Sequence, residues 1–397
     1  MLLARPAWIT VDLGAIQHNL RAIKARLRPS TKVLAVIKAH AYGHGAVQVA
    51  KAVIDAGADL LGVTGLDEAI ELRNSGITAG ILMLGYTPPW QASTVVANSI
   101  AVSVFDPDLL EPLERAARLL ERPAIIHLKV DTGMGRLGPS IDHFAELCQR
   151  TRLSPHIVVD GIFTHLATAD AEDDRFTHEQ LQRFRHALYI ARQNEIFPHW
   201  IHAANSAALL RYAESHFNLV RPGAALYGLD PSSATPCPPD FKSALSFQAL
   251  VAQVKMLPAG ATVSYGATWM AQRPSRIAVI QAGYADGIRR SPYPWKHVLI
   301  QSHCVEIVGA ICMDMCMADV TDIPNVHEGD IATFIGIDGD EHLSVSIIAS
   351  ELKTVGYEVL CGLASRIPRI YLPSRTAGTA VQPPFEAEPL VQGVRTI

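Results

Sequence analysis

The sequence LLGVTGLDEAIELRNSGITAGILMLG at residues 60–85 places an amphipathic segment between two short apolar runs. In the middle part, LDEAIELRNSG (66–76), apolar residues recur at helical spacing, and the segment stops at Gly76, a residue type common at helix C-termini. The flanking runs are rich in Leu, Ile and Val without strict alternation, as in parallel strands that are buried on both faces. This stretch therefore predicts a β-α-β unit.

The same alternation of apolar runs and helix-length segments extends from Thr31 to Leu229, and DLLEPLERAARLLER (108–122) is another of the helix candidates. The strand candidates are VLAVIK (33–38), LLGVT (60–64), ILMLG (81–85), IAVSVF (100–105), AIIHLKVD (124–131), VVDGIFTHLA (158–167), HWIHAA (199–204) and LVRPGAALYG (219–228). Eight β-then-α units over roughly 200 residues predict a (β/α)8 barrel of the TIM type. A doubly wound open sheet is the alternative that the pattern alone leaves open.

The pattern changes after PSSATPCPPD (231–240), a Pro- and Ser-rich break that marks a domain boundary. Strand-like runs separated by Gly, Pro and Asp follow it, with one helix-like piece near Val345–Leu352, and they predict a mainly antiparallel β domain. We expect the early strand WITVDL (8–13) to join that domain. The predicted boundaries are 1–238 for the barrel, 239–372 for the β domain and 373–397 for a loosely ordered tail.

Composition narrows the class of protein. The chain has 397 residues, of which 49% are hydrophobic and 18% charged, so it can form a large core and more than one domain. The formal net charge of -4 gives no indication of a nucleic-acid partner or an anionic membrane. Six cysteines without a CxxC pair predict reduced thiols and no metal site. Because no signal peptide or membrane-length apolar run is evident, we expect a cytoplasmic protein.

Polar residues collect at the predicted C-terminal ends of the barrel strands, where barrel enzymes carry their chemistry. Lys38 ends the first strand, and alone it is ambiguous because a lysine at a strand end is usually a solvated charge. Four further strands bring polar residues to the same rim, and each of these could be structural on its own. Together they favour one pocket. They are Lys129, Asp131 and Arg136 after the fifth strand, His165 after the sixth, Asn205 and Ser206 after the seventh, and Arg221 on the eighth.

Seven motifs together resemble the alanine racemase family, in the family's order and over about Trp8 to Tyr371. They are AVIKAHAYGHG, HLKVDTGMGRLG, HAANSAA, RPGAALYG, VSYGATW, GYADGIRR and GAICMDM. The resemblance implies an isomerase that uses pyridoxal 5'-phosphate to interconvert L- and D-alanine, and a homodimer with shared active sites. It also implies a link to D-alanine supply for peptidoglycan precursors, although D-alanine breakdown stays open.

The resemblance also assigns the cofactor contacts. Lys38 matches the lysine that holds pyridoxal phosphate covalently, a role that needs a deprotonated amine and therefore a desolvated, cation-lined pocket. Gly223 suits a phosphate site because a residue without Cβ lets the backbone approach closely. The implied contacts are Tyr42, Ser206, Tyr357 and the N–H groups of Gly223 and Ala224 for the phosphate, and Arg221 for the pyridine nitrogen.

Racemisation needs one base on each face of the substrate carbon. The resemblance implies Lys38 for one face and Tyr265 of the partner subunit for the other. Tyr265 is expected to join a chain with His165 and Arg221, since a phenol needs cationic neighbours to act as a base near neutral pH. Arg136 would bind the substrate carboxylate together with the backbone N–H of Met313.

Further family positions are open to a second interpretation. Lys129 matches a lysine often carbamylated in the family, and an ordinary salt bridge is the alternative. A substrate channel is implied for Asp170, Tyr284, Asp286 and Arg290, and surface charge is the alternative there. Two departures from the family pattern are His40 in place of a common Asn and Ala310 in place of a common Arg, so selectivity for alanine over serine stays open.

Two other functions remain at this point. A pyridoxal-phosphate-dependent decarboxylase of basic amino acids would share the architecture, but such enzymes normally place a glutamate at the pyridine nitrogen, where this chain has Arg221. A non-catalytic pyridoxal-phosphate-binding protein of the single-barrel type would keep Lys38 but would need neither Tyr265 nor residues 240–372. The full set of motifs favours the racemase.

Overall fold

The computed structural model describes residues 5–373. The predicted tail (373–397) therefore lies outside the described residues, except for Pro373. Within the described part, no helix combines the length and the apolar character needed to span a membrane.

The chain begins with β1 (Ala7–Asp12) and α1 (Leu13–Ala25), which lead into a nearly closed barrel of eight parallel strands in the order β8-β7-β6-β5-β4-β3-β2-β9. The barrel strands are β2 (Lys32–Val36), β3 (Leu60–Val63), β4 (Gly80–Met83), β5 (Ile100–Val104), β6 (Ala124–Lys129), β7 (Ile157–Phe163), β8 (Trp200–His202) and β9 (Leu219–Val220). All eight predicted strands are present, and the predicted barrel is confirmed. The open-sheet alternative is wrong, because the two end strands of the sheet meet: the N–H of Asn218, next to β9, donates to the Ile201 carbonyl of β8 (3.4 Å), and the Arg221 N–H donates to the Ala204 carbonyl (2.9 Å).

Helices follow the barrel strands, as the amphipathic segments predict. They are α3 (Ala46–Asp55), α4 (Leu66–Asn74), α5 (Ala92–Ala97), α6 (Leu110–Leu120), α7 (Ile141–Arg152), α8 (Arg175–Gln193) and α9 (Ser206–Arg211), whereas α2 (Lys38–Tyr42) is a short turn in which residues 39–42 have a left-handed backbone. α4 ends before Gly76, whose φ of 85° is one that L side chains rarely adopt. The apolar faces of these helices pack on the outside of the barrel in one continuous core.

The second domain is a nine-stranded sheet built around the long strand β10 (Leu245–Leu257), which pairs with β1, β13 and β17. Its other elements are β11 (Thr262–Val263), β12 (Trp269–Met270), β13 (Ser275–Ile280), β14 (His297–Ile300), β15 (His303–Glu306), β16 (Cys316–Asp319), β17 (Ile331–Asp338), β18 (Glu341–Leu343), α10 (Val345–Glu351), α11 (Gly356–Cys361) and β19 (Arg369–Leu372), with β11 and β12 in a separate two-stranded sheet. The nine-stranded sheet is antiparallel except for the pair β1–β19, and the predicted mainly antiparallel domain is confirmed. Its first strand in sequence comes from the N-terminus, because β1 pairs with β10 and β19.

The junction between the barrel and the segment that leads to β10 is fixed by a buried side chain on α1. The Asn19 amide donates to the carbonyls of Leu226 (3.0 Å) and Lys242 (2.8 Å), and its oxygen accepts the N–H of Lys242 (2.8 Å). A fully buried amide with three backbone partners satisfies groups that have no water available. Asn19 thus ties α1 to both sides of the exit from the barrel.

We predict that Asn19→Ala destabilises the protein by about 2 kcal/mol, because it leaves buried backbone groups without partners. The measurement is the urea midpoint of unfolding. Asn98→Ala is the matched control, since the Asn98 amide donates to the Thr94 carbonyl (2.8 Å) near the surface. An equal shift of the midpoint in the two variants would contradict the role of Asn19.

Candidate active site

A cavity of about 570 Å³ opens at the C-terminal rim of the barrel. Because the strands are parallel, the residues that follow each strand meet at this rim. Twelve of the residues singled out in the sequence line the cavity. They are Lys38, Tyr42, Lys129, Arg136, His165, Asp170, Asn205, Ser206, Arg221, Gly223, Ala224 and Tyr357.

Lys38 begins a turn with a left-handed backbone. The four residues that follow it, 39–42, have φ between 52° and 54°, a conformation that costs non-glycine residues about 1–2 kcal/mol each. The side chain of Glu68 holds this turn, since its carboxylate accepts the N–H groups of Ala39 (2.5 Å) and Thr64 (2.7 Å). The turn brings both Lys38 and Tyr42 to the cavity wall.

Part of the cavity wall consists of hydroxyl groups and backbone. The Tyr42 ring packs 4.9 Å from the ring of Tyr227, and a Cβ at position 223 would overlap the Tyr42 hydroxyl. Only glycine fits at Gly223 without displacing that hydroxyl. The Ser206 hydroxyl accepts the N–H groups of Gly223 (2.9 Å) and Ala225 (3.2 Å) and fixes this segment.

Arg221 is a buried cation at the base of the cavity. One terminal nitrogen donates to His202 Nδ1 (2.9 Å), and the other donates to the carbonyls of Thr164 (2.8 Å) and Ala203 (2.9 Å). Its guanidinium carbon also lies 5.4 Å from the ring centroid of Phe163. These contacts fix the orientation of the guanidinium. Burial lowers the pKa of Arg221.

The loop after β6 places two more cations. The Asp131 carboxylate accepts the backbone N–H groups of Gly133, Met134 and Arg136 at 2.7–3.1 Å and so shapes the loop. Lys129, only 4% exposed, lies with its Nζ 5.4 Å from the centroid of the Phe163 ring. Burial, followed by the charge of Arg136, lowers the pKa of Lys129 to about 8.

The cavity is strongly electropositive. Four cationic residues line it, and among its lining residues Asp170 is the single carboxylate. Burial, and then the charge of Arg136, lowers the pKa of Lys38, which favours the neutral and nucleophilic amine. Burial and the charge of Arg221 hold the pKa of His165 well below its usual value, so its ring is neutral. The arrangement suits an anionic ligand that reacts with an amine.

Tyr265 lies elsewhere in the chain. It occupies a 3-10 turn (Tyr265–Ala267) after β11, is 66% exposed and lines a separate groove of about 710 Å³ on the β domain. Arg290 places its guanidinium carbon 5.8 Å from the Tyr265 ring centroid. Within one chain Tyr265 does not line the cavity, so the predicted contact with His165 is not formed by residues of a single subunit. Met313 is exposed on the same domain.

The predicted channel residues of the β domain also lie away from the cavity of their own chain. Tyr284 is partly exposed, whereas Asp286 is fully buried. The Asp286 carboxylate accepts hydrogen bonds from Arg366 Nε (2.8 Å) and from the Gly283 N–H (3.0 Å). Asp286 therefore anchors the turn that carries Tyr284.

Sequence reasoning missed three residues that shape the site. His202 orients Arg221, and its signal was present as a histidine inside an apolar strand. Cys361 lines the cavity near Lys38, and Glu68 braces the turn that follows Lys38. No local signal marks Glu68 or Cys361, because α4 and α11 approach the turn only in the folded chain.

Comparisons with known proteins agree over nearly the whole chain. The family profile "Alanine racemase, N-terminal domain" matches residues 11–231, and "Alanine racemase, C-terminal domain" matches residues 244–371. The alanine racemase of Symbiobacterium thermophilum is 42% identical over 92% of this chain and 97% of its own length.

Solved structures give the same result. The alanine racemase of D-cycloserine-producing Streptomyces lavendulae superposes with a TM-score of 0.89 at 35% identity, covering 94% of this chain and 98% of that one. The alanine racemase of Bartonella henselae, described with covalently bound pyridoxal phosphate, has a TM-score of 0.83 at 30% identity, covering 92% and 99%.

We predict that Arg136→Leu raises the pKa of Lys38, because the guanidinium charge lowers it in the folded chain. The measurement is competitive acetylation of the cofactor-free protein, with the Lys38 peptide followed by mass spectrometry across pH. The midpoint of Lys38 reactivity should move to higher pH. Arg115→Leu, which removes an exposed arginine of α6, is the control. A midpoint that does not move in Arg136→Leu would refute this coupling.

Proposed function

This chain belongs to the alanine racemase family, and on that premise we propose that Lys38 of one subunit and Tyr265 of the partner subunit are the two bases of its reaction. The enzyme is an isomerase that racemises alanine. The observation that carries the assignment of the site is Lys38, an amine with a lowered pKa, in a cavity of four cations and one carboxylate.

The cavity fits pyridoxal phosphate as the cofactor. Its charge suits a phosphate, and its hydroxyl-lined wall admits close approach at Gly223, where a Cβ would meet the Tyr42 hydroxyl. When bound, the cofactor supplies a conjugated ring that withdraws electrons from the Cα–H bond of the amino acid. The residues that would hold it are Lys38 by a covalent bond, Arg221 at the pyridine nitrogen, and Tyr42, Ser206, Gly223, Ala224 and Tyr357 at the phosphate.

Lys38 is the base on one face of the substrate carbon. Its lowered pKa leaves more of the amine unprotonated near neutral pH, so Nζ can accept the Cα proton in one direction of the reaction and donate a proton in the other. The Glu68-braced turn limits the positions that its backbone can adopt. The same side chain thus serves first to hold the cofactor and then to move the proton.

Tyr265 of the partner subunit is the base on the other face. Within one chain the Tyr265 hydroxyl lies on an exposed face of the β domain, together with the exposed side chains of Met313 and Met315. Covering such a face with the barrel mouth of a second copy would bury these apolar groups and bring the phenol to Lys38. The enzyme is therefore proposed to be a homodimer with shared sites.

His165 positions that phenol. A guanidinium can only donate hydrogen bonds, so the contact of Arg221 with His165 Nδ1 (3.4 Å) makes Nδ1 an acceptor. The neutral ring then carries its proton on Nε2, which donates to the phenolic oxygen. This donor, with the positive charge of Arg136, stabilises the deprotonated phenol.

Arg136 and the N–H of the partner subunit's Met313 bind the substrate carboxylate. Arg136 lies at the open side of the cavity, where its guanidinium can take a carboxylate by two parallel hydrogen bonds. This would place the Cα carbon between the two bases.

The entrance is proposed to form at the same interface. Asp170 lines the cavity, and Arg290 packs against the Tyr265 ring, so in a dimer the partner subunit's Tyr284 and Arg290 would border the way in. Asp286 would contribute indirectly, because its buried carboxylate holds the turn that carries Tyr284.

The first test is chiral analysis of the product formed from L-alanine and from D-alanine. We expect interconversion in both directions, abolished in Lys38→Ala and reduced by a factor on the order of 10³ in Tyr265→Phe, since each variant lacks one proton-transfer group. Full activity in Tyr265→Phe would contradict the two-base assignment.

Shared sites are tested by mixing the two inactive variants. A hybrid dimer of Lys38→Ala and Tyr265→Phe chains has one site with Lys38 and Tyr265 both intact if each site draws on two subunits. Refolding an equal mixture should then restore about a quarter of the wild-type activity, since half of the randomly formed dimers are hybrids with one working site of two. No recovery in the mixture would place both bases in one chain.

Lys129 is proposed to carry a carbamate. Its pKa of about 8 leaves neutral amine available, and addition of carbon dioxide with loss of one proton would create an anion among Arg136, Arg221 and Lys38. We expect a carbamate carbon resonance in enzyme equilibrated with 13C-bicarbonate. The resonance should be absent in Lys129→Arg and retained in Lys32→Arg, which replaces an exposed lysine. Its absence from the wild type would leave Lys129 as an ordinary cation.

A further inference from the structure

Arg221 is only 4% exposed, at the wall of the cavity, and within residues 5–373 no ion pair joins it to a carboxylate. A buried charge without a counter-charge is costly, so the hydrogen bonds around it must supply the compensation. Two of its contacts are backbone carbonyls, one is the imidazole of His202, and a longer one (3.4 Å) is to Nδ1 of His165. Of these contacts, the one with His202 leads to further buried residues of the barrel.

His202 continues this line of contacts to a second buried histidine. His202 Nε2 lies 2.8 Å from His127 Nδ1, and both rings are fully buried. On its far side, His127 Nε2 has no hydrogen-bond partner among the described residues and lies 3.7 Å from the partly exposed carboxylate of Asp160, a charge contact longer than a hydrogen bond. Arg221, His202, His127 and Asp160 therefore form one row that connects a buried cation with an anion near the surface.

The direction of every proton in this row follows from Arg221. A guanidinium only donates, so His202 Nδ1 must accept. Burial keeps the pKa of His202 well below its usual value, and burial also lowers the pKa of His127, so each ring holds one proton. His202 must then donate from Nε2 to His127 Nδ1, which leaves the proton of His127 on Nε2, facing Asp160.

Two features of the barrel backbone favour the contact between His127 and Asp160. The strand pair β6–β7 contains the one register irregularity among the barrel strand pairs in the described part of the chain. Ile126 pairs with Val159 and His127 with Gly161, so the residue skipped by the ladder is Asp160. A bulge of this kind redirects a side chain, here toward His127.

The second feature is Gly161. A Cβ at this position would overlap the His127 ring, so residue 161 must be a glycine for the ring to lie where it does. The His127 side chain in turn holds the pKa of Asp160 below its usual value, although burial acts in the opposite direction. The bulge and the glycine are independent of each other, and both favour the same His127–Asp160 contact.

We propose that Asp160 and His127 are positioning residues that act on Arg221 through His202. The carboxylate orients the His127 proton, the two rings pass on that orientation, and His202 Nδ1 is presented to the guanidinium as an acceptor. This compensates the buried charge at a distance and keeps a carboxylate out of contact with Arg221, so that the guanidinium keeps N–H groups for a ligand. The link to catalysis rests on the proposed role of Arg221 at the cofactor ring.

Neutron crystallography of the deuterated holoenzyme tests the row directly. The expected result is deuterium on Nε2 and none on Nδ1 in both His202 and His127. Deuterium on Nδ1 of either ring, or on both nitrogens, would overturn the proposal. This result does not depend on racemase activity, so a failure of the proposed function and a failure of this inference can be told apart.

Kinetics of variants test the action on Arg221. We expect Asp160→Asn to lower kcat about tenfold, in the range seen when a partner that orients a functional group is lost. KM for alanine should stay unchanged, because no substrate contact is altered. Asp160→Glu should restore most of kcat, since it returns the carboxylate. Asp108→Asn, which neutralises an exposed carboxylate elsewhere on the barrel, is the matched control.

Two kinetic outcomes would overturn the proposal. One is an Asp160→Asn enzyme with the kcat of the Asp108→Asn control. The other is an equal loss in Asp160→Asn and Asp160→Glu, because a lost charge would then not explain the effect.

Discussion

The mutual repulsion of four cations at one end of an apolar barrel is the constraint on which the site depends. Lys38, Lys129, Arg136 and Arg221 line one cavity with a single carboxylate among its lining residues. Burial first, and then the charge of Arg136, lowers the pKa values of both lysines and so favours their neutral amines. The cavity also has an excess of positive charge that an anionic ligand would balance. The positive charge therefore destabilises the cavity and at the same time favours the binding of an anionic ligand.

The backbone around these cations departs from regular geometry where the site needs it. Residues 39–42 form a left-handed turn that Glu68 holds, and Gly223 leaves space beside the Tyr42 hydroxyl. The bulge at Asp160 lies one layer deeper in the barrel. Such costs of about 1–3 kcal/mol persist only where surrounding contacts fix the conformation. Their grouping around Lys38 and Arg221 is what a preorganised site requires.

The β domain is fixed to the barrel by the N-terminus. β1 lies between β10 and β19 and leads directly into α1, and Asn19 on that helix binds the segment that leaves the barrel. The exposed face around Tyr265 is thereby held on a rigid support. If a second copy covers this face, as we propose, the same support would set the distance between the two bases across the interface.

Much of this arrangement is determined by local sequence. Apolar runs of 4–8 residues alternating with amphipathic segments predicted the eight barrel strands, because burial on both faces requires continuous apolar residues. The twelve cavity residues could be named because parallel strands deliver their C-terminal ends to one rim, and because the motifs resemble a family. The change in pattern after residue 230 predicted that a mainly antiparallel β domain follows the barrel.

Only the tertiary structure decided the relations between distant segments. Glu68 and Cys361 reach the turn after Lys38 by helix packing, and no local pattern encodes that approach. The orientation of Arg221 depends on His202, and the row behind it depends on a one-residue shift between two strands. Tyr265 lies outside the cavity of its own chain, a fact of three-dimensional position that its flanking motif could not give. Sequence determines which faces are buried, whereas contacts between residues far apart in the chain exist only after the barrel has closed.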